Sequence, residues 1–150
     1  MTLTTKLIQT TLLTLLLLSF SSFTWAKDSI SVNNAWVADA PPNSAMHAGY
    51  FTIKNSGNEE VELLTVSSPK FKKIEIHQTQ VINNIARMVE QDGLPIFENE
   101  TTKFAPGGLH LMMMEPKGAM KIGDKIELTL KFENNVTKKV TAIVKKRVSK

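Results

Sequence analysis

The chain has no cysteine among its 150 residues. That excludes disulfides, and it excludes a blue-copper electron-transfer site, which requires a thiolate ligand. It also leaves no cysteine at a cleavage site to take a lipid anchor. Aromatic rings are sparse, with a single Tyr and two Trp. Together with scattered lysines, they give no stacking platform beside a phosphate-tracking groove, so nucleic acid is not an expected partner. No stretch beyond the N-terminus has the periodicity of a long amphipathic helix. No internal repeat is visible. No Ser/His/Asp set or pair of carboxylates stands out, so an enzyme is not expected. Acid is missing from the end of the chain: from Asn134 onward there are six basic residues (Lys138, Lys139, Lys145, Lys146, Arg147, Lys150) and no acidic one. Residues 27 to 133 carry 11 basic and 14 acidic side chains, a net of −3. The basic tail reads as a solvated last strand, with weak attraction to anionic lipid or an acidic partner as the sharper alternative.

What is there begins with an address. Lys6 supplies one positive charge, and Leu12 to Phe20 is an apolar run broken only by Thr14 and Ser19. Thr24 and Ala26 then occupy the −3 and −1 positions of a cut after Ala26. Residues 1–26 therefore read as a secretory signal peptide. The run is shorter than the roughly 20 residues that a membrane span needs. Residues 27–150 are left as one domain working outside the cytoplasm, long enough to bury a core of its own.

Alternation dominates that domain. Strands are expected over Ile30 to Ala38, His47 to Lys54, Val61 to Val66, Lys73 to Gln80, Ile85 to Glu90, Lys125 to Glu133 and Val136 to Val144. Lys125 to Glu133 alternates most cleanly, with Ile126, Leu128, Leu130 and Phe132 on one face. Turns fall at Asn55-Ser56-Gly57-Asn58, Asn83-Asn84, Asp92-Gly93, Gly123-Asp124 and Asn134-Asn135. Ile96 to Phe104 is irregular and reads as a weak strand or arm. Eight or nine short strands with regular turns predict an all-β antiparallel sandwich with Greek-key links.

The chemistry concentrates in Gly107-Gly108-Leu109-His110-Leu111-Met112-Met113-Met114. On a strand, His110, Met112 and Met114 share one face, and Leu111 and Met113 share the other. Thioethers are soft donors that select Cu(I), and imidazole tolerates it. A second pair comes from hairpin arithmetic. If Asn83-Asn84 is a two-residue loop, paired positions sum to 167. His77 then faces Glu90, Thr79 faces Met88, and His77 and Met88 become diagonal neighbours on one face. A slip of one residue would break that arrangement.

The intervals between these residues resemble those of the periplasmic copper chaperone family PCuAC. Its signature is His, ten residues, Met, twenty-one residues, His, one residue, Met, and His77, Met88, His110 and Met112 reproduce every interval. Gly49 to Asn55, Glu75-Ile76-His77, Pro106 to Met112 and Lys121 to Lys125 also look like the family. The resemblance implies a cupredoxin-like β-sandwich or barrel holding one Cu(I) per chain on those four residues. It implies a periplasmic chaperone, expected as a monomer, that delivers copper to the CuA site of respiratory cytochrome c oxidase. The partner would be the copper-accepting oxidase subunit or another periplasmic copper chaperone of the Sco type. Rival readings are a copper-sequestering resistance protein with the same ligands, and a metal-free secreted β-sandwich binding module.

The remaining soft and aromatic residues have plainer readings. Met114 is expected at the rim or in the core, with an alternative ligand role behind. Met113 is expected in the core, and Met120 in loop packing. Met46-His47 is read as surface, with a second weak metal contact as the alternative. Trp36, Tyr50 and Phe51 are core candidates. Gly107-Gly108 makes a turn that also permits close backbone approach.

Overall fold

The computed structural model describes residues 29–147. The segment 1–26, read above as a signal peptide, lies outside them. Ten strands follow in order: β1 (Ile30–Ala38), β2 (Met46–Asn55), β3 (Val61–Ser67), β4 (Phe71–Ile82), β5 (Ile85–Gln91), β6 (Leu94–Ile96), β7 (Thr101–Lys103), β8 (Leu109–Pro116), β9 (Lys125–Phe132) and β10 (Thr137–Lys145). A 3-10 turn at Glu133–Asn135 is the sole helical element among the described residues. The expected all-β class is what the chain adopts. Two details differ. The irregular Ile96 to Phe104 region contributes two three-residue strands, β6 and β7, which raises the count to ten. The pairing is also mixed, because β1 runs parallel to β10 while the other pairs are antiparallel.

The strands hydrogen-bond in the order β5-β4-β8-β2-β1-β10-β9-β3-β6, with β7 attached to β2. Side chains from β1, β2, β3, β4, β6, β8, β9 and β10 meet in one apolar cluster. The sheet must therefore fold over itself for both halves to reach the same interior. The alternation in β9 does what its period dictates: Ile126, Leu128, Leu130 and Phe132 are buried, while Lys125, Glu127 and Lys131 are exposed. Each such fully buried side chain contributes about 1.5–3 kcal/mol. Asn55 is polar and fully buried, and it is satisfied. Its amide donates to the carbonyls of Glu59 (2.8 Å) and Ile96 (3.1 Å) and accepts from Gly57 N–H (2.9 Å). That ties β6 to the end of β2.

Two features position the outer face of the β4-β8-β2 region. Gly49 lies opposite Leu111, and a Cβ there would sit 2.8 Å from Met113 Sδ. Only glycine lets the core side chains of β8 pack this closely under β2. At the other side, β4 runs past the core and turns back through Asn83 (φ 51°) and Asn84 (φ 62°). Two successive left-handed residues make a type I′ turn, whose twist matches that of the strands. The register is the expected one, with Ile82 opposite Ile85, Thr79 opposite Met88 and His77 opposite Glu90. β5 ends the sheet and is exposed from Ile85 to Glu90.

Candidate metal centre

Three strands bring the four candidate ligands onto one face. β4 and β8 pair so that His77 stands directly opposite His110, and Glu75 opposite Met112. Met88 enters from β5 one diagonal step from His77. Met112 lies one step along β8 from His110 on the same face. The four residues thus form a diagonal, Met88–His77–His110–Met112, with the imidazoles at its centre. The ring centroids are 5.9 Å apart and the planes are inclined at 50°. Both rings are buried, while Met88 is 60% exposed and Met112 half-buried. Met88, His110 and Met112 line one cavity of about 380 Å³, with Thr79, Met46 and His47 also in its wall. His77, opposite His110 on β4, is not among the residues that line it.

Each imidazole has one nitrogen occupied and one free. His110 Nδ1–H donates to the Gly108 carbonyl at 3.0 Å, which leaves the Nε2 lone pair available. The Pro106-Gly107-Gly108 bend makes this possible. Gly107 adopts φ +82°, and Gly108 N–H donates to Ala105 O at 3.0 Å. His77 Nε2–H donates to the Glu75 carboxylate at 2.8 Å. Its Nδ1 is buried and has no partner among the described residues. A buried acceptor without a donor costs roughly 1–3 kcal/mol. A cation bound at that lone pair would remove the cost. Carboxylate and carbonyl partners on the far nitrogen are also what fixes the tautomer and ring angle of metal-binding histidines. The donor set fits a soft monovalent cation.

Glu75 belongs to the same face. Its pKa is lowered, first by the hydrogen bond from Lys73 and then by that from His77, while partial burial opposes both. Glu75, His77 and Glu90 offer donor atoms within 4.8 Å of one another. Neither carboxylate was picked out by the sequence reasoning as part of the site. The signal was available, because Glu75 has the parity of His77 and the hairpin sum had already placed Glu90 across from it.

One aromatic residue needs correction. Tyr50 is buried as expected, whereas Trp36 is only half-buried and lies outside the apolar core cluster. They stack on each other with centroids 4.5 Å apart and line the cavity beside His110 and Met112. The reason is parity: Tyr50 shares the face of Ala48, and Ala48 lies opposite Met112. Phe51, one residue further, is the core residue expected of it. Leu111 and Met113 are fully buried as expected, and Met120 packs against the core.

The fold and this face together define an all-β domain with a histidine–methionine surface cluster. The family described as "Putative lipoprotein LpqE-like" matches residues 30–144. The chain belongs to this family, which is of the PCuAC type. An uncharacterized protein of Rickettsia prowazekii (strain Madrid E) is 36% identical over 121 residues, which is 80% of this chain and 62% of that protein. The chain therefore spans less than two thirds of that relative's length. Among solved structures, the Cu(I) form of DR1885 from Deinococcus radiodurans matches with a TM-score of 0.67 at 26% identity, over 87% of each chain. The copper-bound PCuAC domain from PmoF2 matches at TM-score 0.67 and 21% identity, over 79% of this chain and 94% of that one, and so speaks for the fold.

Proposed function

We propose that this protein is a copper carrier that binds one Cu(I) through His77, Met88, His110 and Met112. It works outside the cytoplasm, in the periplasm, and passes the ion to the CuA site of cytochrome c oxidase or to a Sco-type intermediary. The observation that carries the binding part is the pair of opposed imidazoles, each with one nitrogen already engaged by oxygen and the other free, flanked by thioethers. Copper-bound neighbours of the same fold and the family's lipoprotein description support the reading.

The chemistry suits a carrier. Thioethers hold no proton and do not form disulfides in an oxidising compartment. Two neutral imidazoles and two neutral thioethers leave the ion's charge uncompensated, which favours Cu(I) over Cu(II). An exposed Met88 on an edge strand lets a partner's ligand reach the ion, so exchange can proceed without release into solvent. The histidines bind through neutral nitrogens, so protons compete with the ion and Cu(I) affinity is expected to fall on acidification.

The test is an anaerobic Cu(I) titration against a chromogenic chelator, followed by transfer to an apo CuA domain in the presence of that chelator. One tight equivalent and faster transfer than from free copper are expected. A tight equivalent that is never surrendered would identify a sequestering protein instead. No tight equivalent would leave a metal-free binding module as the reading.

A further inference from the structure

Met46 and Met114 are far apart in sequence, and each has a bland reading there. The β2–β8 register sets them directly opposite one another, with Ala48 opposite Met112 in the next position on that face. Opposed residues of an antiparallel pair share a face with Cβ atoms about 4.5–5.5 Å apart. Two thioethers at that separation can close on one ion. Met112 follows on the same face of β8, and Ala48 offers only a methyl group between it and Met46. Met46 and Met112 line the same cavity as Met88 and His110. Met46 is 56% exposed, so core packing does not account for it. On the other flank of Met114 stands Lys73, whose ammonium is paired with Glu75 and so brings no free positive charge.

We propose that Met46, Met114 and Met112 form a second, weaker site for a soft monovalent cation, Cu(I) or Ag(I). It serves as the station through which the His77–His110 centre is loaded. The inference rests on the copper-carrier reading. Met112 belongs to both ligand sets, so the ion moves by exchange: Met46 and Met114 leave as the two imidazoles and Met88 close. Its oxidation state does not change, and no proton need be lost from the thioethers. Imidazole is the stronger donor, which gives the transfer its direction.

The experiment uses the full chain under anaerobic reductant. Cu(I) is titrated against a chromogenic chelator, and Ag(I) is titrated while the methionine methyl resonances are followed by NMR. Wild type is compared with Met46→Leu/Met114→Leu, which keeps apolar volume, and with His77→Ala/His110→Ala. The wild type should take a tight equivalent and then a weak one held by Met46 and Met114 alone, because Met112 is by then engaged in the tight site, and the Met46 and Met114 methyl signals should move in the second phase. The Met46→Leu/Met114→Leu protein should keep the tight equivalent, lose the weak one and load several-fold more slowly. The His77→Ala/His110→Ala protein should keep the weak equivalent. Survival of the weak equivalent in Met46→Leu/Met114→Leu would overturn the site, as would unmoved Met46 and Met114 signals at saturating Ag(I). An unchanged loading rate would overturn its role as a station. If the tight equivalent is absent from the wild type while those two signals still move, the carrier reading fails and the second site stands.

Discussion

The two faces of β8 put the same side chain to opposite uses. Met113 and Leu111 point inward and are 0% exposed, packed beneath Gly49. Met112 and Met114, on either side of Met113 in sequence, point outward beside His110. Methionine fills irregular core space because its long unbranched chain adapts, and it binds soft metals because its sulfur is polarizable. One step of strand parity decides which property is used. What sets the outer face apart as the proposed site is the company: two imidazoles whose free nitrogens have no hydrogen-bond partner among the described residues.

That contrast can be broken by mutation. The largest effect is expected from His77→Ala/His110→Ala, which should weaken Cu(I) by about 10³-fold or more, roughly 4 kcal/mol. The ion-free protein should melt earlier as well, since two buried rings and their hydrogen bonds are lost, an effect only partly offset by removal of the unsatisfied Nδ1, so affinity is compared on variant protein confirmed to be folded. Retained affinity would mean that the outer face is not the centre. On the inner face, Met113→Ala should cost about 2–5 kcal/mol in denaturant unfolding and leave copper stoichiometry intact. A copper defect there, at full stability, would erase the distinction between the faces. Met112→Leu and Met88→Leu should each lower Cu(I) affinity about ten- to a hundredfold, roughly 1.4–2.7 kcal/mol, with little change in melting temperature.

Glu75→Gln should act less strongly, weakening copper about tenfold by loosening the His77 ring. It also has a signature in the ion-free protein. Because the folded pKa of Glu75 lies below its ordinary 4.5, the ionised carboxylate stabilises the fold above that pH. The contribution is lost as pH falls through the lowered value. Wild type should therefore lose stability on acidification below about 4.5 in a way that the Gln variant does not, by a margin that solvent screening keeps small. Parallel acid-denaturation curves would show that the carboxylate is not held as described.

Much of this was legible in the sequence, for local reasons. The β4–β5 register followed from two asparagines, because a two-residue loop fixes every later pair in a hairpin. The β9 core positions and the inward Leu111 and Met113 followed from period two. What stayed hidden depends on strand order. Nothing local says that β2 lies beside β8, so the meeting of Met46 with Met114 was invisible. For the same reason Trp36 and Tyr50, whose size suggested the core, were not placed in the cavity wall. The parallel β1–β10 contact joins opposite ends of the domain and leaves no turn to announce it. β6 and β7 were too short, at three residues each, for alternation to register.

The edge position of β5 has a thermodynamic consequence. Its backbone is held by β4 alone, and no side chain from Ile85 to Glu90 is buried. Segments with so little packing open at far lower free energy than the core of the same molecule. Amide protons of β5 should therefore exchange with solvent well before those of β8, and the gap should narrow when Met88 is tied to an ion. Fraying of this strand would withdraw one sulfur while the histidine pair keeps its place. If Met88 holds the ion as proposed, the grip on it would loosen through a local fluctuation, with the cooperative unit that keeps the chain folded left untouched.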